Sequence, residues 1–264
     1  MQITVLGKSP AWSDAGGACS GYLVEDADTT LLLDCGNGVF AKLRAVRDFA
    51  EVDAVLISHL HADHILDLVP FAYGLRFSPS LHPHPTPYHP GSGHPTHPRL
   101  VAPGGAAETF RRVVGAWGDE LLIEESFELA EYEVDSVVEV GPLTATFAAV
   151  PHYVPSHAIN LRSANGGGRL TFSSDCRPSE DLVEAARDTD LLLVEATVPR
   201  PEGDGPRGHL TPAEAGEHAR RAGAKRVVLT HISDEIDPDW AREEASSAFG
   251  RSVEIAREGA VYAL

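Results

Sequence analysis

In the first part of the chain, short apolar runs alternate with glycine- and aspartate-containing turns, a pattern typical of strands. The predicted strands are ITVLG, GYLVE, TTLLLDCG and AVLISH, and a helix is predicted through VFAKLRAV. The apolar segment ILDLVPFAYGLRF also favours a helix, which Pro70 should bend or begin.

Strand patterns continue in the second half and then alternate with helices. The stretch from LLIEESFEL to GPLTATFAAVPH alternates like antiparallel strands, and NGGG predicts a turn between AINLRS and RLTFSSD. From Pro178 onward the order is helix, LLLVEA, helix, RVVLTH, helix, with VEIAR and AVYAL as closing strands. Because strands run through both halves and helices flank them, we expect an α/β fold with two sheets face to face.

One helix near the C-terminal end is marked at both of its ends. Thr211 is the expected N-cap, Pro212 the first helical residue and Glu214 the capping-box partner, and Gly223 follows the last turn. This assignment places His209 in the loop before the helix, where its imidazole is available for chemistry.

A proline- and histidine-rich segment occupies residues 78–98. It carries seven prolines and five histidines without periodicity, so we interpret it as a loop inserted in a single domain of residues 1–264. Two interpretations stay open for its histidines, which are binding of stray metal and a place in a mobile lid or unstructured segment. These histidines are His82, His84, His89, His94 and His97.

Composition restricts the classes of partner and location. The chain has 39 acidic and 21 basic residues, a net charge of −18, which disfavours extended nucleic acid because polyanions are repelled. No apolar run approaches the roughly 18–20 residues of a membrane span, and no signal-peptide pattern opens the chain, so we expect a cytoplasmic location without membrane contact. Three scattered cysteines are too few for a disulfide framework or a cysteine-based zinc site.

The candidate chemistry lies in SHLHADH, residues 58–64, directly after an apolar strand. Imidazole and carboxylate are ligands for zinc and other first-row metals. His59 and His61 face the same way in an extended chain, whereas Asp63 and His64 begin the next turn and face another direction. Three more ligand types follow other predicted strands, and this repeated placement predicts that they converge. They are His152, Asp175 and His231.

These motifs, in this order, resemble the metallo-β-lactamase superfamily of binuclear metallohydrolases. The resemblance implies a four-layer αβ/βα sandwich, two mixed β-sheets flanked by helices, with the active site at the open edge between the sheets. It also implies two divalent ions, zinc first and manganese or iron as alternatives, that share a bridging water and lower its pKa. The implied ligands are His59, His61 and His152 for one ion, Asp63, His64 and His231 for the other, and Asp175 between them.

Within the superfamily, the likeness is to the tRNase Z-like branch, on segments such as SHLHADHILDL, HYVPSHAINLR and LTHIS. The EAT segment and a later histidine of that branch map onto Glu195 and His209. The resemblance implies that Glu195 orients the imidazole and that His209 stabilises transition-state charge or protonates the leaving oxygen. Asp63 is counted with them as catalytic, and a helix-capping role for Glu195 stays open.

The chain departs from tRNase Z in the segment between His152 and Asp175. Only 22 residues separate them, which leaves no room for a tRNA-gripping arm. The chain is therefore more similar to armless actinobacterial relatives that hydrolyse cyclic nucleotides. The implied activity is cleavage of a small phosphodiester by a metal-bridging hydroxide, in a chain that could pair as a homodimer.

Several alternatives to this activity stay open. One is a tRNA 3′-processing endonuclease, and another is hydrolysis of a thioester, lactone or sulfate ester, because fold does not fix substrate. A non-catalytic metal-binding or ligand-sensing protein is the alternative from another class.

Three further residues are considered for the site. His157 could replace His152 as a ligand. Cys176 is interpreted as a small packed residue, and His218 is expected to be solvated.

Overall fold

The strands form two seven-stranded sheets within the residues that the computed structural model describes, 1–81, 96–201, 203 and 206–264. The first sheet contains β1 (Gln2–Gly7), β2 (Gly21–Asp26), β3 (Thr29–Leu33), β4 (Ala54–Leu56), β5 (Arg99–Pro103), β6 (Glu128–Tyr132) and β14 (Val261–Ala263). The second contains β7 (Val137–Val140), β8 (Leu143–Val150), β9 (Ser156–Ser163), β10 (Arg169–Phe172), β11 (Leu191–Glu195), β12 (Arg226–Thr230) and β13 (Glu254–Ile255).

Both sheets are mixed. The first has the order β14-β1-β2-β3-β4-β5-β6, and its strands from β3 to β6 are parallel. The second has the order β13-β12-β11-β10-β9-β8-β7, and its strands from β10 to β13 are parallel. The remaining pairs in each sheet are antiparallel.

Helices cover the outer face of each sheet. They are α1 (Val39–Val46), α2 (Ala62–Ile65), α3 (Leu68–Phe77), α4 (Ala106–Gly115), α5 (Leu122–Ser126), α6 (Glu180–Ala185), α7 (Pro212–Ala222) and α8 (Pro238–Phe249), with a 3₁₀ turn at Phe49–Glu51. Buried residues of α1, α3, α4 and α5 form one core with the first sheet, and those of α6, α7 and α8 form another with the second. The prediction of two mixed sheets flanked by helices is confirmed.

The core between the sheets holds the two halves of the chain together. It is built from alternate strand residues of both sheets, and the rings of Tyr22 and Phe172 meet across it with centroids 5.2 Å apart. Alternation places these side chains on the inner face because successive residues of a strand point to opposite faces. The sheets therefore pack through a continuous apolar layer, and polar ligand types are confined to its edge.

The predicted ends of the C-terminal helix are confirmed in α7. Thr211 accepts a hydrogen bond from the Glu214 N–H, and the Glu214 side chain accepts one from the Thr211 N–H, which completes the capping box. Pro212 is the first helical residue, and Gly223 ends the helix in the left-handed conformation. The capping box therefore fixes where the loop that carries His209 ends and α7 begins.

Two details of the predicted elements were wrong. LLIEES, expected as a strand, forms α5, because Ile123 and Phe127 are four residues apart and both are buried in the helix-side core. β6 then pairs parallel with β5 rather than antiparallel. By contrast, the helix predicted around Pro70 is present as α3, and Pro70 lies in its first turn, as expected for a proline that begins a helix, because its missing N–H costs no hydrogen bond there.

The loop prediction for residues 78–98 falls largely on residues 82–95, which lie outside the described residues, as do His82, His84, His89 and His94. His97 is described and exposed. In the described part of the chain, no helix is long and apolar enough to cross a membrane.

Candidate metal centre

The site lies at one edge of the two sheets, where the carboxyl ends of several strands meet. Strands β10, β11 and β12 are parallel, and β8 runs with them because both β8 and β10 are antiparallel to β9. The segment after β4 joins this edge through a bridge between His59 and Ser156 and a hydrogen bond from the His157 N–H to the Ser58 carbonyl (3.2 Å). Residues that follow the strands therefore converge from both sheets.

Three imidazoles form the first group of ligand atoms. Nδ1 of His61 lies 3.1 Å from Nε2 of His59 and 3.1 Å from Nε2 of His152. All three ligand atoms lie within 4.8 Å of one another. Nitrogens bound tetrahedrally to zinc at ~2.0–2.1 Å would be about 3.3 Å apart, so this spacing fits one shared ion.

Asp63, His64, Asp175 and His231 form the second group, and all four are buried. His231 Nε2 lies 3.1 Å from an oxygen of Asp63 and 3.3 Å from an oxygen of Asp175. His64 Nε2 lies 3.4 Å from the other Asp175 oxygen, yet among the described residues it is a buried nitrogen without a hydrogen-bond partner. A buried nitrogen that faces two carboxylates without bonding either fits a cation between them.

Asp175 lies between the two groups. Its Oδ2 is 3.9 Å from His59 Nε2 and 4.0 Å from His152 Nε2, while its oxygens also face His64 and His231. Burial by itself raises the pKa of Asp175, but His231 and His64 outweigh it and hold the pKa well below its usual range. The structure thus brings all seven predicted ligands together in the expected grouping, and their binding of metal stays a prediction.

The imidazoles of the first group are held in the form that binds metal. Burial lowers the pKa of His59, and the neighbouring His64 lowers it further. Burial also lowers the pKa of His61 and of His152. Below-normal pKa values leave these rings neutral near pH 7, and a neutral imidazole is the ligand form.

Further hydrogen bonds fix which nitrogen of each ring faces the cluster. Nδ1 of His152 donates to the Gly208 carbonyl (2.9 Å), and Nδ1 of His64 donates to Asp34 (2.7 Å). Asp34 also accepts from the Ser58 N–H (2.7 Å) and hydroxyl (2.8 Å). Supports of this kind orient a ligand and raise its basicity.

Sequence reasoning missed Asp34. A signal was present, because a carboxylate that ends the apolar strand TTLLL is expected to need partners inside the fold. Asp34 is fully buried, has a positive φ of 57° and contacts Ser58 and His64 in the segment after β4. Its role depends on Ser58 and His64, which only the folded chain brings beside it.

Glu195 and His209 lie together beside the second group. Glu195 is fully buried, and its Oε1 accepts from His209 Nδ1 (3.1 Å) and from the Cys176 N–H (2.8 Å). The His209 ring stacks on that of His231 with centroids 5.6 Å apart and is only partly buried. The predicted pair is therefore placed together at the site, and its catalytic role stays a prediction.

The remaining candidates lie outside the ligand groups. His157 lies on β9 with its ring 5.1 Å from that of Tyr132, so it does not replace His152 in either cluster. Cys176 is fully buried, and burial raises its thiol pKa well above the usual value. The expectation that His218 is solvated was wrong, because its ring is buried and its Nε2 accepts from the Ser179 N–H (3.1 Å).

Comparisons with known proteins agree with this geometry. A family model described as "Beta-lactamase superfamily domain" matches residues 29–232. The probable metallo-hydrolase YhfI of Bacillus subtilis is 30% identical over 262 residues, which covers 99% of this chain and 99% of that protein. Its crystal structure matches with a TM-score of 0.86 at 27% identity and covers 100% of this chain and 99% of that one.

Two further relatives match most of the chain. Protein Rv1339 of Mycobacterium tuberculosis is 33% identical over 250 residues, 92% of this chain and 83% of that protein. Ribonuclease Z of Halorubrum lacusprofundi is 28% identical over 286 residues, 94% of this chain and 92% of that protein.

The contact between Asp34 and His64 generates a testable prediction. Burial alone lowers the pKa of His64, but Asp175 and Asp34 outweigh it and leave the pKa well above 6.5. Asp34→Asn should therefore lower the pKa of His64 in metal-free protein, as followed by NMR titration. It should also weaken binding of one metal ion by about 10- to 100-fold in chelator competition, because Asn supports the ring less well.

The sign of the accompanying stability change follows from the raised pKa. Protonated His64 stabilises the metal-free fold below pH ~6.5, and this contribution is lost as the pH rises through the folded pKa. Asp34→Asn should therefore reduce the stability that protonated His64 gives the metal-free fold at acidic pH. Asp26→Asn is the control, because Asp26 is also buried but bonds Ser163 and the N-terminal amine. Equal loss of metal affinity in both variants would contradict the role of Asp34.

Proposed function

The chain belongs to the β-lactamase superfamily, and we propose that it is a binuclear metal-dependent phosphodiesterase that cleaves a small phosphodiester, a cyclic nucleotide first. Family membership and the His/Asp cluster imply a hydrolase that binds divalent metal. The number of ions, zinc as the first candidate, and the phosphodiester substrate are parts of the proposal.

The observation that carries this proposal is the contact between His209 and the buried Glu195 beside the ligand cluster. His209 Nδ1 donates to Oε1 of the buried Glu195 (3.1 Å), and this hydrogen bond fixes the orientation of the imidazole ring beside the cluster. His209 also lies near Asp175, with 4.0 Å between Nδ1 and Oδ2. A leaving alkoxide of a phosphodiester is a poor leaving group, so an oriented acid beside the cleaved bond is the group that such a reaction needs.

Two divalent ions held by the ligand groups would supply an activated water for attack and offset negative charge on the phosphoryl oxygens. In this proposal, side chains of the protein orient the groups and transfer the proton. Glu195 fixes the His209 ring, and His209 delivers a proton to the departing oxygen. His152 and His64 keep their supported nitrogens turned away from the cluster, toward Gly208 and Asp34.

The segment between His152 and Asp175 supports a small substrate. Strands β9 and β10 and the turn at residues 164–168 occupy most of these 22 residues, which form a tight antiparallel hairpin of the second sheet. No arm projects from residues 153–174, all of which are described. A folded RNA would lack this grip and would also meet a chain of net charge −18.

An aromatic ring at the mouth supports a nucleoside component. Tyr153 is 49% exposed, and its centroid lies 5.0 Å from that of His152 and 6.1 Å from that of His209. Stacking of a base on an aromatic side chain is worth about 1–3 kcal/mol. A cyclic nucleotide could therefore place its phosphate at the cluster and its base against this ring.

The alternative that a specific observation favours is tRNA 3′ processing, because one relative is named Ribonuclease Z. Cleavage of thioesters, lactones or sulfate esters uses similar metal pairs and has no such support here. A non-catalytic metal-binding protein would not need a proton donor such as His209.

We further propose that residues 1–264 act as one domain in the cytoplasm, in a homodimer. One domain is supported by β14, which pairs with β1 so that both ends of the chain complete the same sheet. A reducing compartment is supported by three buried cysteines that form no disulfide. The solution mass would test the dimer.

His209→Ala should keep the bound metal and lose about 10²- to 10⁴-fold in turnover of a substrate with an alkoxide leaving group. The same variant should lose far less with bis(p-nitrophenyl) phosphate, whose leaving group needs little protonation. The measurement is kcat for both substrates with metal content determined in parallel. Equal losses for the two substrates would remove His209 from the role of proton donor.

Metal-loaded protein should show a higher kcat/KM for cyclic AMP than for a 3′-extended tRNA precursor in the same buffer. The reason is that one phosphate is neutralised locally, whereas a folded RNA presents many phosphates to an acidic chain without an arm. Metal-stripped protein is the control for both substrates. Faster cleavage of the precursor at its 3′ end would favour the endonuclease instead.

A further inference from the structure

Thr197 lies between a candidate metal ligand and the buried carboxylate that holds the candidate proton donor. Its Oγ1 is 2.6 Å from Glu195 Oε2 and 2.8 Å from His231 Nδ1. Thr197 follows β11, and His231 follows the neighbouring parallel strand β12. Sequence reasoning gave Thr197 no role beyond its place in the EAT segment.

The direction of these two hydrogen bonds follows from the proton count. A hydroxyl has one proton, and an ionised carboxylate only accepts. Thr197 therefore donates to Glu195 and accepts from the Nδ1–H of His231. With its proton on Nδ1, His231 turns the lone pair of Nε2 toward Asp63 and Asp175, which lie 3.1 and 3.3 Å from that nitrogen.

The support for His231 is a short hydrogen bond to a hydroxyl. His64 donates directly to a carboxylate and His152 to a carbonyl. Nδ1 of His59 also faces hydroxyls, at 3.2 and 3.3 Å, but the 2.8 Å contact of His231 with Thr197 is shorter. A hydroxyl that itself donates to a carboxylate is polarised and accepts more strongly. Part of the Glu195 charge thus reaches His231 through Thr197.

The two oxygens of Glu195 have separate tasks. Oε1 accepts from His209, whereas Oε2 accepts from Thr197 and from the Leu210 N–H (3.1 Å). His231 also has a positive φ of 50°, uncommon for a residue with a side chain, so its position depends on its surroundings. A single carboxylate is thereby placed to orient both the proton donor and a metal ligand.

We propose that Thr197 is a positioning residue for metal binding. Its hydroxyl, held by Glu195, fixes the tautomer and orientation of His231. The inference rests on the proposed function only in its assignment of His231 as a ligand. It predicts that removal of the Thr197 hydroxyl weakens binding of the second ion, although Thr197 is not itself a ligand.

The test uses two substitutions of Thr197 that differ by a hydroxyl. Thr197→Val keeps the shape and should weaken zinc binding at one of two sites by about 10- to 100-fold in chelator competition. Thr197→Ser restores the hydroxyl and should bind zinc like the wild type. Thr230→Val is the matched control, because Thr230 precedes His231 and its buried hydroxyl bonds Tyr22 (2.6 Å) instead. This control should lose stability and keep its zinc affinity.

A second variant makes the test independent of how well Thr197→Val folds. Glu195→Gln should also weaken zinc binding at one site, whereas a Glu195 that serves only His209 would leave zinc affinity unchanged. ¹⁵N-detected NMR of the zinc-loaded wild type should show the His231 proton on Nδ1. Wild-type zinc affinity in Thr197→Val or in Glu195→Gln would overturn the inference. A wild type that binds no zinc would instead refute the proposed function.

Discussion

The carboxylate of Asp175 is 2% exposed, and an ionised group at such a depth is costly unless positive charge or hydrogen-bond donors surround it. Five imidazoles lie within 4.0 Å of its two oxygens, and they come from the segments after β4, β8, β11 and β12. No single sheet could supply them all. The packing of one sheet on the other therefore stabilises the buried Asp175 carboxylate. The same packing brings together side chains that can bind cations.

Supporting groups behind the ligands complete this arrangement. Asp34 holds His64 from the first sheet, and Glu195 acts on His231 through Thr197 from the second. Each sheet thus contributes one buried carboxylate that contacts none of the candidate ligand atoms but orients a ring that carries one. Because Glu195 also accepts from His209, the orientation of a candidate metal ligand and that of the candidate proton donor depend on the same side chain.

The ligands could be predicted because their residue types stand at strand ends, where parallel strands deliver side chains to one edge. His152, Asp175 and His231 each follow an apolar strand that the sequence pattern already indicates. The roles of Asp34 and Thr197 could not be predicted in this way, since each depends on a partner more than twenty residues away that only the folded chain brings near. For α5 and His218 the reason is similar, because packing against neighbouring helices buried residues whose local sequence favours exposure or a strand.

The assignment of two metal ions to the cluster around Asp175 can be tested by X-ray diffraction from zinc-loaded crystals, recorded at the zinc absorption edge. This assignment predicts two anomalous peaks in each chain. One should lie ~2.0–2.2 Å from the nitrogens of His59, His61 and His152, and the other at that distance from Asp63, His64 and His231, with Asp175 reaching both. A single peak, or peaks that lie away from Asp175, would contradict it.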